Sequence, residues 1–252
     1  MYKAIEIARF VRMYLRTALP IDYQFYGKRD LVRMRGNFAQ LLLIAQARGN
    51  YLRILPTLYV VGANLAEATI HQAVCLYTVR PSDWNLAPES LDFDFAAQIV
   101  DQLKKSPVGI FVRESVDAEI DNTFRWFGKD GSHWSDYLFL AFFNMTRGAP
   151  TARKDLARAF ELFIKRSRYS TNKPPLDFEE ALHTRFQDLE SRLDRPDCIA
   201  LCRADAEEHA RLLKLPAIVW PPEWPEAVPP WPKDVPGLMA RLGSLFADRS
   251  KP

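Results

Sequence analysis

The chain has 252 residues, 48% of them apolar, 12% aromatic and 26% charged, a composition that excludes a disordered or fibrous chain and allows a sizeable core. Its length admits one large domain or two closely packed ones. The net charge of +3 is unevenly spread: residues 1–55 hold ten Lys/Arg against three Asp/Glu, and residues 56–145 hold six against twelve, so a basic front and an acidic middle either face a partner or neutralise each other within the fold.

Residues 2–18 read as a helix, with Ile5, Ala8, Val11 and Leu15 at three- and four-residue spacing and Lys3, Glu6, Arg9, Arg12 and Arg16 on the other side. Pro20 ends it. Its cationic face suits a membrane surface, a nucleic acid or a targeting peptide. The plainer reading, adopted here, is a helix packed on a sheet with solvated arginines.

The fold class rests on residues 28–80. Arg35-Gly36-Asn37-Phe38 and Arg48-Gly49-Asn50-Tyr51 each set a Gly-Asn pair between apolar runs, the chemistry of reverse turns. Strands are expected at 30–35, 38–47 and 51–61, with a fourth at 70–79, as an antiparallel meander. The run 38–47 is apolar on both faces apart from Gln40 and Gln46, which marks a central strand. Pro56 cannot donate to a ladder, so the third strand is at an edge or bulged there. For 64–80 the side-chain types favour a strand, while Asn64 and Glu67 form a possible capping box for a helix.

Further on, a helix is expected at 93–105, capped by Asp92 or Asp94, then a short strand at 108–113 and a helix at 115–127 closed by Gly128. The almost wholly apolar run 137–145 reads as a helix buried all round. A basic amphipathic helix follows at 151–167, and another at 178–193 behind a capping box of Asp177 and Glu180. Residues 198–202 read as a short strand, followed by a helix from Asp205 to near 215. Between 216 and 236 eight of twenty-one residues are proline, interleaved with Trp220, Trp224 and Trp231, and a short helix ends the chain near 236–247.

The expected architecture is α+β: an antiparallel meander at about 30–80 with an N-terminal helix, then a mostly helical second half and a Pro/Trp-rich C-terminal segment. The boundary favoured is near 173, between an α+β domain at 1–172 and a helical extension at 173–252, or one continuous domain.

The chemistry-bearing candidates are sparse. His71 and Cys75 adjoin only on a helix; on a strand they stand about 13 Å apart, and a buried thiol with a satisfied imidazole is the reading taken. Cys198 and Cys202 lack the spacing and the companions of a zinc site. Asp92 with Asp94, and Glu114, Asp117 and Asp121, read as caps and solvated surface rather than cation ligands. No glycine-rich phosphate loop, nucleophile elbow or His-Glu-x-x-His motif occurs. The residues therefore point to no catalytic site, cofactor or metal, and the chain is read as leaning away from an enzyme.

Two surfaces remain. Between 147 and 173 stand Arg147, Arg153, Lys154, Arg158, Lys165, Arg166, Arg168 and Lys173 against only Asp155 and Glu161. Joined by Arg33, Arg35 and Arg53 with Tyr51 and Tyr59 on a shared sheet face, they would offer the cations and stacking rings that nucleic acid prefers. The segment holding Trp220, Trp224 and Trp231 is either a polyproline ligand for another protein or a strap over the chain's own core. Three cysteines, charges throughout the first helix and no apolar run of about 20 residues indicate a soluble protein of a reducing, cytoplasmic compartment. The functional expectation is a non-enzymatic interaction or accessory subunit, of the kind found in bacterial defence or toxin-neutralising complexes, whose main partner is another protein. The alternatives are a nucleic-acid-binding subunit and an enzyme whose site assembles only in three dimensions.

Overall fold

The structure is a computed structural model and describes residues 2–46, 51–63, 77–78, 85–86, 88–105, 133–171, 174–227 and 231. The meander lies at its centre. Strands β1 (Gln24–Tyr26), β2 (Asp30–Arg35), β3 (Phe38–Gln46) and β4 (Leu52–Val60) are antiparallel neighbours in chain order. The short β5 (Tyr77–Thr78) and β6 (Asn85–Leu86) both pair with β4. As the two-sided apolar pattern requires, β3 is central and buried from Phe38 to Ile44. The β2–β3 turn is Gly36-Asn37, with Arg35 opposite Phe38 and Gly36 at φ +54°, where a side chain would be strained. Pro56, lacking an N–H, falls between the pairing of β5 at Thr57 and Leu58 and that of β6 at Leu52 and Arg53. The edge strand β1 falls where the residue pattern gives only a loop.

Helical segments surround the sheet among the described residues. The first, α1 (Ala4–Phe10), continues through a π-helical turn at Val11–Leu15 into α2 (Arg16–Ala18). Then come α3 (Phe93–Lys105), α4 (Trp134–Thr146), α5 (Ala152–Arg166), α6 (Asp177–Arg192) and α7 (Cys198–Leu212). The N-terminal segment meets one sheet face: Arg12 sits over the Phe25 ring at 5.9 Å, and Tyr23 Oη donates to Gln40 Oε1 at 3.5 Å. Phe10 joins it to Phe95 of α3 at 5.4 Å between centroids. On the opposite face Tyr59 meets Phe139 of α4 and His209 of α7, and Tyr26 Oη donates to the Leu213 carbonyl at 3.0 Å. A sheet covered on both faces explains why β3 carries no polar alternation.

Three local readings change. Residues 198–202 are helical, because the buried set Cys198, Ile199, Cys202, Ala206, His209 and Ala210 repeats at helical spacing; the β-favouring Cys and Ile yield to that period. The cap of α6 is Glu179, whose carboxylate accepts from the Leu176 N–H at 2.8 Å, instead of the Asp177/Glu180 pair. In the first helix Ile7, Phe10, Val11 and Leu15 point inward, whereas Ile5 is 76% exposed. The π-turn breaks the 3.6-residue phase on which the Ile5–Ala8 stripe was counted. Asp92, rather than Asp94, caps α3 by accepting from the Phe95 N–H at 3.0 Å.

Contacts cross position 173 repeatedly. Arg168 N–H donates to Glu179, Arg153 pairs with Asp194, and Arg185 of α6 donates to the carbonyls of Gly62 and Ala63 at the end of β4. The second Gly-Asn turn at 48–50, the strand expected at 108–113, the helices at 115–127 and 236–247, and most of 64–80 lie outside the described residues.

Candidate interaction face

Among the described residues, no element covers the outward apolar stripe of α1. Ala4, Ile5 and Ala8 line one side of a groove of about 540 Å³, and Lys28 and Arg29 of the β1–β2 turn with Asp30 at the start of β2 line the other. Met13 is 48% exposed, Phe25 42% and Ile21 90%, all contributed by the same N-terminal segment and the adjoining edge strand. Scattered apolar residues on a surface are ordinary, but a concavity walled by apolar side chains marks a candidate binding face.

The charge around this groove is mixed, with cations in excess. Residues 1–30 carry three carboxylates: Asp30 lines the groove, Glu6 is exposed, and Asp22 is paired with a cation. Glu6 accepts from the Lys3 N–H, Asp22 pairs with Arg33 at 2.5 Å, and Asp30 accepts from the Ile44 N–H at 2.7 Å. Among the described residues no carboxylate pairs with Arg9, Arg12, Lys28 or Arg29. Arg9 instead donates to Met13 Sδ at 3.4 Å and Arg12 covers Phe25, so both guanidinium groups frame apolar surface.

The sheet cations anticipated from sequence do not form one face. The register places Arg53 with Tyr59, opposite to Arg33 and Arg35. Arg33 is 3% exposed and bound to Asp22, Arg35 pairs with Glu223, and Tyr59 is fully buried. The cations of 147–173 are also partly engaged. Arg153 is buried against Asp194, Arg158 and Lys165 share Glu161, and Arg147 donates to Asn144 Oδ1 while stacking on Phe143 at 4.9 Å. Lys154, Arg166 and Arg168 are exposed; Lys173 is outside the described residues, as are His71, Cys75, Glu114, Asp117 and Asp121.

The three candidate tryptophans contact the chain's own body. Trp224 meets Phe143 edge-on at 5.4 Å and Trp220 at 6.1 Å. Trp220 donates Nε1–H to Glu207 at 2.6 Å under the Arg203 guanidinium. Trp231 is 3% exposed and donates to the Ala149 carbonyl at 2.7 Å.

Two polar clusters escape sequence reasoning. Arg185 binds Asp188 at 2.7 Å and Asp205 at 2.9 Å, and Arg192 binds the same two carboxylates. Their members are up to 20 residues apart, and no local motif announces them. At the start of α4, His133 Nδ1 lies 2.6 Å from Ser135 Oγ, and Ser135 in turn hydrogen-bonds Asp136. Burial pushes the Asp136 carboxyl up to about 6, against the pull of Ser135 and Arg166. Here the hydroxyl stands between imidazole and carboxylate, whereas nucleophile activation needs the imidazole in the middle; the trio caps a helix. Cys198 and Cys202 are buried thiols, the latter pushed up by its bond to Cys198 and by burial, and no cluster of metal-ligating side chains occurs among the described residues. No described helix is long and apolar enough to cross a membrane. No family model, curated protein or solved structure matches the chain.

Proposed function

We propose that this chain is a non-enzymatic accessory subunit that acts by binding another protein through the α1–β1 side, within the cytoplasm of a bacterial cell. The observation that carries it is the groove lined by Ala4, Ile5 and Ala8, on an N-terminal stretch that also exposes Met13, Ile21 and Phe25. The Pro/Trp segment, the other candidate docking element, spends its indoles on internal contacts. A photo-crosslinking amino acid at Ile5, compared with one at the remote exposed Val219, tests the proposal in living cells. A protein adduct specific to position 5 is expected; equal labelling from both positions, or none, refutes it.

A second reading, nucleic-acid binding, has its own observation. The half-buried rings of Trp134 and Tyr169 flank Phe163 at 5.8 and 6.1 Å, next to the exposed Arg166 and Arg168. Stacking rings beside cations suit single strands. Gel-shift titration at low salt with the Arg166→Glu/Arg168→Glu pair as control decides it, since such binding weakens steeply with added salt.

A further inference from the structure

We infer that the groove between α1 and the β1–β2 turn takes an acidic amphipathic helix of the partner; this rests on the interaction reading above and specifies its chemistry. Shape argues first. Ala4, Ile5 and Ala8 make an apolar wall facing Lys28, Arg29 and Asp30 across a concavity of about 540 Å³, within the roughly 300–1,000 Å³ range of built sites. A concave apolar slot accepts inserted side chains, as helix-in-groove recognition requires, whereas a bilayer surface is met by a convex apolar face. The edge strand β1 spans only Gln24–Tyr26, too short to template strand addition over a useful length.

Charge argues second and independently. Asp22 is paired with Arg33, while Glu6 and Asp30 accept from backbone N–H groups and keep their charge, so among the described residues Arg9, Arg12, Lys28 and Arg29 outnumber the carboxylates beside them and leave a net cationic rim. Like-charged partners are rejected and acidic ones steered in. The partner helix therefore carries apolar residues at three- to four-residue spacing for the slot and Asp or Glu on its flanks for the rim.

The probe is a fluorescein-labelled Glu/Leu amphipathic peptide of about 18 residues, long enough to be helical, titrated into the full chain with fluorescence polarisation. A Lys/Leu peptide of the same pattern and a scrambled Glu/Leu peptide serve as controls. Saturable binding of the Glu/Leu peptide alone is expected, weakened about tenfold or more by Lys28→Glu/Arg29→Glu, by Ile5→Asp and by high salt. Ile5 is 76% exposed, so its replacement does not threaten folding. Equal binding of the acidic and basic peptides, or binding of neither, overturns the inference. Co-sedimentation with phosphatidylglycerol vesicles without peptide binding overturns it in favour of a lipid surface, and concentration-dependent dimerisation lost in Ile5→Asp overturns it in favour of a second copy. A partner crosslinked from position 5 alongside no peptide binding leaves the interaction reading standing and removes only the acidic-helix class; failure of both removes both.

Discussion

The Gly62 N–H donates to Nδ1 of His209 at 3.1 Å, across 147 residues of chain. Because Nδ1 accepts, the imidazole proton resides on Nε2. The same glycine's carbonyl accepts from Arg185 at 2.8 Å, so the point where β4 ends is held by both α6 and α7. Gly62 sits at φ +91°, and a Cβ there would meet Ala206 Cα at 2.8 Å and Phe142 Cε1 at 2.9 Å. Gly62→Ala is expected to destabilise by about 2–5 kcal/mol, combining backbone strain with overpacking. His209→Phe keeps the ring but leaves the buried N–H unpaired, and a loss of about 1–3 kcal/mol is expected. Urea unfolding measures both, and a Gly62→Ala variant as stable as the parent contradicts the close packing of α7.

Gly36 and Trp224 make the same kind of close contact at the same end of the sheet, where Phe38 pairs with Val60. A Cβ on Gly36 would lie 2.5 Å from the Trp224 ring, while Arg35 pairs with Glu223 beside it. Gly36→Ala is therefore expected to lift the strap from the turn. Tryptophan emission should shift to the red, and trypsin should cut faster than in the parent at Arg203, which the strap covers through Pro225 and Trp220. Trp224→Ala should reproduce both signs while leaving the far-ultraviolet circular dichroism intact. An unshifted spectrum in both variants would mean that the strap does not depend on this contact.

The meander was readable because each of its signals is local. Gly36-Asn37 fixes a turn and the two-sided apolar run of Phe38 to Ile44 fixes a central strand, whereas Pro56, expected at an edge or a bulge, pairs in unbroken register with Leu42 of β3. Where two local signals compete, burial decides. Cys198 and Ile199 favour strand by type but belong to a helical stripe that continues to Ala210. Ile5 looked like a core residue because a π-turn at Val11–Leu15 breaks the phase of the helix it starts. That same misphasing hid the groove, since a residue assigned to the core cannot be seen as surface. The competing stripe of Ile7, Phe10 and Leu15 was the available clue. The face expected from Arg33, Arg35 and Arg53 failed for a different reason: strand register, which no single strand's sequence contains, puts Arg53 on the other side.

The Arg185 cluster makes a prediction that separates pairing from charge. Arg185 is 8% exposed, binds Asp188 and Asp205, caps the Gly62 carbonyl and stacks on Phe142 at 5.4 Å. Arg185→Met removes every polar contact and leaves Asp205, whose side chain is only 20% exposed, with Arg192 alone. A loss of about 3–5 kcal/mol is expected, as for other broken buried pairs. Arg185→Lys restores a charge but not the planar fork, so it should recover less than half of the loss. Recovery to parental stability by lysine, read from chemical denaturation, would show that charge alone suffices.

Asp136 supplies a pH dependence whose sign can be worked out. Burial raises its carboxyl from the ordinary 3.8 to about 6, outweighing the lowering by Ser135 and Arg166. Between pH 4 and pH 6 the folded chain then holds a proton that the unfolded chain has lost, so this group's contribution to stability falls as pH rises through that window. Above pH 6 the ionised, partly buried carboxylate carries its full penalty, and below pH 4 the penalty is absent. Asp136→Asn removes the titration while keeping shape and the bond to Ser135. The difference in melting temperature, variant minus parent, should therefore rise between pH 4 and pH 7 and flatten beyond. Asp136 also lies in the first turn of α4, where a negative charge is favoured by the helix dipole by about 0.3–1 kcal/mol. That bonus opposes the burial penalty and lowers the plateau, but by itself it would make the difference fall with rising pH. A falling difference across pH 4 to 7 in thermal melts would therefore mean that the dipole outweighs burial at this site.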